Sequence, residues 1–320
     1  MAMLPCSIAI MVLLYLAAGA ITTPSLAALL LALLTTLALR WMSNALQLIR
    51  VRSWAISSVF ALLVGTAAPL HGWAPEAMGL ALLYLVHIAG LLFSTEGARP
   101  QVGVLISSVA LALMSMIEPL MLWLLLPMLV AMLFALRVLT GRTLTALFFG
   151  LLLPYEVWLA VFLYANGAEA LAGLLQEDTL RAILAPASGQ AWAFDSLSFA
   201  PEALLPHLPR LGVGVLLLFS LIANIHFMRT SIDDKISVRM HYVTLLLQWP
   251  VLVALPVTGC LQAEADISRA LLPVVCVAVC SAPLLGRYIV FARGRGAAVV
   301  SWLMMLTLLF LWLCPYLFSA

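Results

Sequence analysis

Apolar stretches long enough to cross a bilayer follow one another almost end to end in this chain, and the loops between them alternate between arginine-bearing and acidic or neutral. That alternation constrains the fold more than any other feature. A hydrocarbon layer of about 30 Å takes roughly 17 to 25 helical residues per crossing, and backbone exposed to lipid must satisfy its own hydrogen bonds. Barrel strands would alternate polar and apolar residues, and these stretches do not. With 65% hydrophobic and 9% charged residues in 320, the chain has too few polar groups to cover a water-soluble globule of its size. The fold class predicted is all-α, a polytopic transmembrane helix bundle forming a single integral membrane domain over residues 1–320.

Eleven spans are predicted, at 4–21, 24–39, 53–70, 76–93, 101–117, 119–136, 143–163, 211–228, 240–257, 268–286 and 297–318. Loops after the even-numbered spans carry Arg40, Arg50, Arg52, Arg99, Arg137, Arg142, Arg229, Lys235, Arg239, Arg287, Arg293 and Arg295, twelve of the 15 basic residues. The opposite face keeps Arg181, Arg210 and Arg269 and collects Glu76, Glu118, Glu169, Glu177, Asp178, Asp195, Glu202, Glu264 and Asp266. Positive charge stays with the cytosol, so the N-terminus is predicted inside and the C-terminus outside, in a bacterial inner membrane. The first span lacks a basic leader and reads as a retained anchor.

Two connections carry structure of their own. Arg40 to Arg52 spaces Trp41, Ala45, Leu46 and Ile49 at helical intervals, as an interfacial helix would; the alternative is a longer third helix. The large outer connection, 164–210, contains an amphipathic segment from Ala168 to Leu184 and then Trp192, Phe194 and Phe199 around Asp195. So much leucine and aromatic content predicts docking on the membrane surface or on the mouth of the bundle.

An ionisable side chain inside the hydrocarbon is a functional candidate because burying it costs several kcal/mol without a partner. Glu156 stands out, in Gly150-Leu-Leu-Leu-Pro154-Tyr155-Glu156-Val-Trp158, roughly 10 Å below the outer end of its predicted span. Pro154 removes the hydrogen bond to the Gly150 carbonyl. Glu156 is read either as a polar site beside a kink or as a carboxylate reaching the interface beside Tyr155 and Trp158. Glu118, in a tight turn before Pro119, and Glu76, with His71 in the preceding outer turn, are the other acidic candidates. His87, with Tyr84 one turn earlier on its helix face, forms a buried polar pair that either relays protons or is a hydrogen-bonded core histidine.

Other patterns carry less. Asp233-Asp234 reads as a solvated loop pair neutralised by Arg229, Lys235 and Arg239. Cys276 and Cys280 share a helix face without further ligands, so no metal is predicted, and no cofactor signature is present. The net charge of +2 is divided between the two faces without a basic, aromatic-lined groove, which excludes nucleic acid as a partner. Membrane lipids are the expected partners.

From Val102 to Tyr155 the order runs Val-Gly-Val-Leu-Ile-Ser-Ser-Val-Ala-Leu, Glu118-Pro119, a long apolar helix, Ala-Leu-Arg137, Gly-Arg142-Thr-Leu and Gly150-Leu-Leu-Leu-Pro154-Tyr155. This segment resembles a family of polytopic inner-membrane proteins of Bacteroidota whose activity is unassigned. It is also similar to the helix pair of membrane glycosyltransferases that use polyprenyl-phosphate sugars. The second resemblance implies a polyprenyl-linked or other lipid substrate, a large outer loop, and a catalytic acid in the first outer loop. Here that loop, 19–25, holds no carboxylate, and Glu76, Glu118 and Glu156, in rising order, are the candidates for such a role. Three functions stay open: lipid or glycan handling at the outer leaflet, a non-enzymatic scaffold or assembly subunit, and a small-molecule transporter.

Overall fold

The computed structural model describes residues 8–9, 12, 23–49, 54–71, 75–96, 99–166, 208–261, 272–291, 298–300, 302–304 and 306–307. Within them the chain is all-helical, with no strand. The helices are α1 (Thr23–Ala45), α2 (Ala55–His71), α3 (Pro75–Phe93), α4 (Pro100–Ile117), α5 (Leu125–Val130), α6 (Gly141–Asn166), α7 (Leu208–Thr230), α8 (Ile236–Leu261) and α9 (Leu272–Phe291). Six stretches are long and apolar enough to cross a membrane: Leu26–Ala45, Pro75–Phe93, Pro100–Ile117, Gly141–Ala165, Ile236–Pro256 and Leu272–Phe291. Ala55–Val64, Pro119–Ala135 and Gly214–Thr230 are shorter apolar helices. Most of the predicted spans at 4–21 and 297–318, and the connection from 167 to 207 with its amphipathic segment, lie outside the described residues.

The centre of the bundle is α9, whose residues from Pro273 to Tyr288 are all buried. A helix apolar all round can be sheltered only by other helices, and α2, α3, α7 and α8 surround it. At Gly286 the backbones of α9 and α2 nearly touch, because a Cβ there would lie 3.0 Å from the Ile56 Cα. On the other side α4 is held between α3 and α6. Small residues at such crossings let backbones approach and replace the hydrophobic driving force that lipid cannot supply.

Winding changes along the short segment that follows α4. Pro119–Leu124 is 3-10 helix, and it leads through α5 into a π turn at Ala131–Ala135. Six residues of 3-10 helix rise about 12 Å where α-helix would rise about 9 Å, so this short apolar segment begins with a longer rise per residue than its neighbours. The π turn closes with the Leu136 N–H donating to the Ala131 carbonyl at 2.8 Å, and Arg137 then turns the chain with φ +54°.

The interfacial helix expected over Arg40 to Arg52 does not form as a separate element in the described part, nor does α2 extend back to meet it. Residues to Ala45 continue α1, a turn follows at 46–49 with Gln47 at φ +48°, and α2 begins only at Ala55. Arg40 instead reaches across the turn and lays its guanidinium over the Trp54 ring, 3.2 Å from the centroid. A stacked cation and the left-handed Gln47 give the chain a way to reverse that its apolar spacing does not encode.

Candidate functional site

Four polar side chains from three helices meet in the interior. Tyr84 and His87 come from α3, one turn apart, Ser107 from α4 and Gln248 from α8, and each is 0% exposed. The Tyr84 hydroxyl donates to Gln248 Oε1 at 2.9 Å, and Gln248 Nε2 lies 3.2 Å from His87 Nε2. His87 Nδ1 lies 3.0 Å from the Ser107 carbonyl and 2.9 Å from its hydroxyl.

The contact with the Ser107 carbonyl selects one set of donor and acceptor roles. A carbonyl oxygen can only accept, so His87 Nδ1 carries the hydrogen. The neutral ring then has a bare Nε2, which accepts from the Gln248 amide, and this leaves Oε1 to accept from Tyr84. Each of the four side chains has at least one partner within the chain of contacts. Such a closed chain joins α3, α4 and α8 at a depth where an unpaired polar atom would find no water.

A second polar line runs beside it. Ser220 of α7 and Ser281 of α9 are 2.9 Å apart, and the Trp249 indole of α8 donates to Ser220. Nearer the arginine-bearing loops, His241 Nε2 lies 3.2 Å from the Thr95 hydroxyl. There too, Arg287 of α9 pairs with Asp234 while its guanidinium lies 5.2, 5.3 and 5.4 Å from the rings of Phe227, Tyr242 and Phe291. The Tyr242 hydroxyl donates to the Leu48 carbonyl at 3.2 Å, tying the turn after α1 to the start of α8. Asp234 is thus not a solvated loop residue neutralised by its chain neighbours: with its side chain 8% exposed, it is buried against α9.

The acidic candidates are placed differently. Glu76 is exposed in the first turn of α3. Glu118 is half-buried in the extended break between α4 and the 3-10 segment, its N–H donating to the Met114 carbonyl at 2.9 Å. Glu156 is exposed on α6. Thr143, Leu147, Gly150 and Pro154 are the buried stripe of α6, and Gly150 meets the Ser108 hydroxyl of α4. Two residues beyond Pro154, Glu156 lies about 200° around the helix, on the side away from α4. Tyr155 bonds Ser115 of α4 at 2.6 Å and Trp158 stacks on Phe162. No hydrogen bond or ion pair joins Glu76, Glu118 and Glu156 among the described residues, whereas Tyr84 and His87 are brought together, their ring centroids 6.1 Å apart.

Gln248, Ser107 and Arg287 escape sequence reasoning as members of these clusters. The one available signal is spacing: His241, Thr244 and Gln248 recur at helical intervals on α8, as Tyr84 and His87 do on α3. Gln248→Leu is expected to lower stability by about 1–2 kcal/mol, the upper range for interhelical hydrogen bonds in membranes. Tyr84→Phe, which removes a donor and leaves His87 partnered, should cost less. Unfolding of the purified variants in mild detergent by graded SDS measures both. Among the described residues no group of three or more His, Cys, Asp or Glu could hold a metal ion. No protein-family model, curated protein or solved structure matches the chain.

Proposed function

We propose that the chain is a multi-pass protein of the bacterial inner membrane, with eleven spans and its arginine-bearing loops in the cytosol, and that it handles a lipid or lipid-linked glycan in the outer leaflet. Charge sorting between alternate loops supports the orientation. The observation that carries the activity is the placement of Glu156. At 26 residues, α6 is about 39 Å long against about 30 Å of hydrocarbon, so a helix centred in the bilayer with its Asn166 end outside would hold Glu156, ten residues from that end, about 10 Å below the outer boundary. Its neighbours on that side are the exposed Phe149, Leu152, Leu153 and Leu159.

A carboxylate on an apolar wall needs a donor brought by the lipid phase. Phosphate is repelled there, so the group it selects is a hydroxyl or an amine, as found on sugars and on lipid headgroups. The resemblance of 102–155 to polyprenyl-phosphate-sugar transferases agrees with a lipid-linked glycan. The same placement favours one second reading, an assembly subunit in which another protein's helix supplies the donor.

Photocrosslinking separates them. A photoreactive residue at Leu152 or Ala160, one turn to either side of Glu156, is expected to capture lipids with hydroxyl- or amine-bearing headgroups, and Glu156→Gln should cut that capture several-fold at unchanged protein level. Adducts to a second polypeptide would transfer the proposal to assembly, and identical lipid capture by the Gln variant would refute a role for the carboxylate.

A further inference from the structure

We propose that Arg40 and Trp54 form a phosphate-binding site at the arginine-bearing end of the bundle, taking the phosphodiester of a phospholipid headgroup. The site goes beyond the reading of Glu156, lies on a different helix and calls for an anionic acceptor where Glu156 calls for a donor.

The argument begins with what holds Arg40 in place. Its guanidinium lies 3.2 Å from the Trp54 ring centroid, so one face of the cation is covered by the indole. Stacking uses the face of the guanidinium and leaves its N–H donors pointing outward in the plane. Among the described residues no carboxylate pairs with Arg40 and no acceptor takes a hydrogen bond from it. Arg40 is half-buried and held by an aromatic ring, and among the described residues its fork of donors is unused. A phosphodiester presents two oxygens at the spacing that such a fork matches.

Surroundings select the source of the phosphate. Arg40 sits five residues before the end of α1, within the apolar stretch Leu26–Ala45. The next residue, Trp41, is 64% exposed and packs against Phe93 of α3 in a tilted arrangement, with ring centroids 5.4 Å apart. Exposed tryptophan at the end of a membrane helix marks the headgroup level. Acyl chains can therefore lie along α1 while the headgroup phosphate meets Arg40. Inorganic phosphate shares the donor chemistry but gains nothing from the apolar flank.

Native mass spectrometry of the full chain, released from detergent with added phosphatidylglycerol, tests the site. Arg40→Gln is expected to lower retention of the lipid by about tenfold or more, the worth of one bidentate charge-assisted contact, while Arg99→Gln, at an exposed arginine, leaves it unchanged. Arg40→Lys keeps the charge and guards against a folding artefact; losing the planar fork and much of the stack, it should bind more weakly than the native chain, and Trp54→Leu likewise. Millimolar inorganic phosphate that displaces the lipid from the native chain would keep the site and make free phosphate its ligand. Equal retention by the native chain and a folded Arg40→Gln variant would overturn the proposal.

Discussion

Arg287→Ala is expected to destabilise the bundle by about 3–5 kcal/mol, because it removes one half of a buried ion pair and takes the guanidinium away from a largely buried carboxylate. Arg287 is 4% exposed and the Asp234 side chain 8%. Water therefore reaches neither well enough to replace the lost partner. Phe227, Tyr242 and Phe291 line the guanidinium, and a desolvated cation over an aromatic face is worth about 2 kcal/mol, so truncation also empties a packed site. The damage is expected at the end where α7, α8 and α9 meet the turn after α1, since Tyr242 also holds the Leu48 carbonyl. Replacing both partners by apolar residues of similar volume, Arg287→Met with Asp234→Leu, should recover most of the loss, as no charge is then left buried. SDS unfolding of both single variants and the double variant gives the coupling directly. Additive losses would mean that the two side chains do not act as a pair.

The contrast between Asp234 and the helices shows what a single sequence carries. Apolar periodicity and run length are local, and the helical class and the positions of α1 to α9 follow from them to within a few residues at most ends. The wrong expectation at Asp234 has a physical cause. Adjacent Arg229, Lys235 and Arg239 neutralise it equally well on paper, and its actual partner, Arg287, lies beyond a whole helix in the chain. Gln248 is similar: its meaning depends on Tyr84 and His87, which reach it only once α3 and α8 pack. Glu156 was visible as a carboxylate in an apolar run, but its direction was not, because that depends on which face of α6 Gly150 and Pro154 turn towards α4. Residues that act through contacts distant in sequence are legible as oddities, and their partners are not.

Glycines are the sharpest case of that rule, and Gly103→Val should be the most damaging replacement of a small residue in the bundle. A Cβ at Gly103 would lie 2.5 Å from the Gly90 carbonyl oxygen and 3.0 Å from the Ser94 Cα, and the reciprocal Cβ at Gly90 would meet the Gly103 carbonyl at 2.8 Å. These neighbours are backbone, so no rotamer change relieves the overlap and α3 and α4 must move apart. Separation also pulls Ser107 away from His87, since both residues sit one turn from the crossing, and the polar chain through Gln248 opens with it. Overpacking costs about 1–3 kcal/mol where side chains can yield; with backbone on both sides and the network disrupted, a loss of about 3 kcal/mol or more is expected. Gly79→Ala in the same α3 provides the control, because nothing lies within 4 Å of a Cβ there, and the better helix former should be neutral or stabilising by up to about 1 kcal/mol. Unfolding in SDS ranks the two variants, and equal stability would show that α3 and α4 do not cross this closely in the membrane.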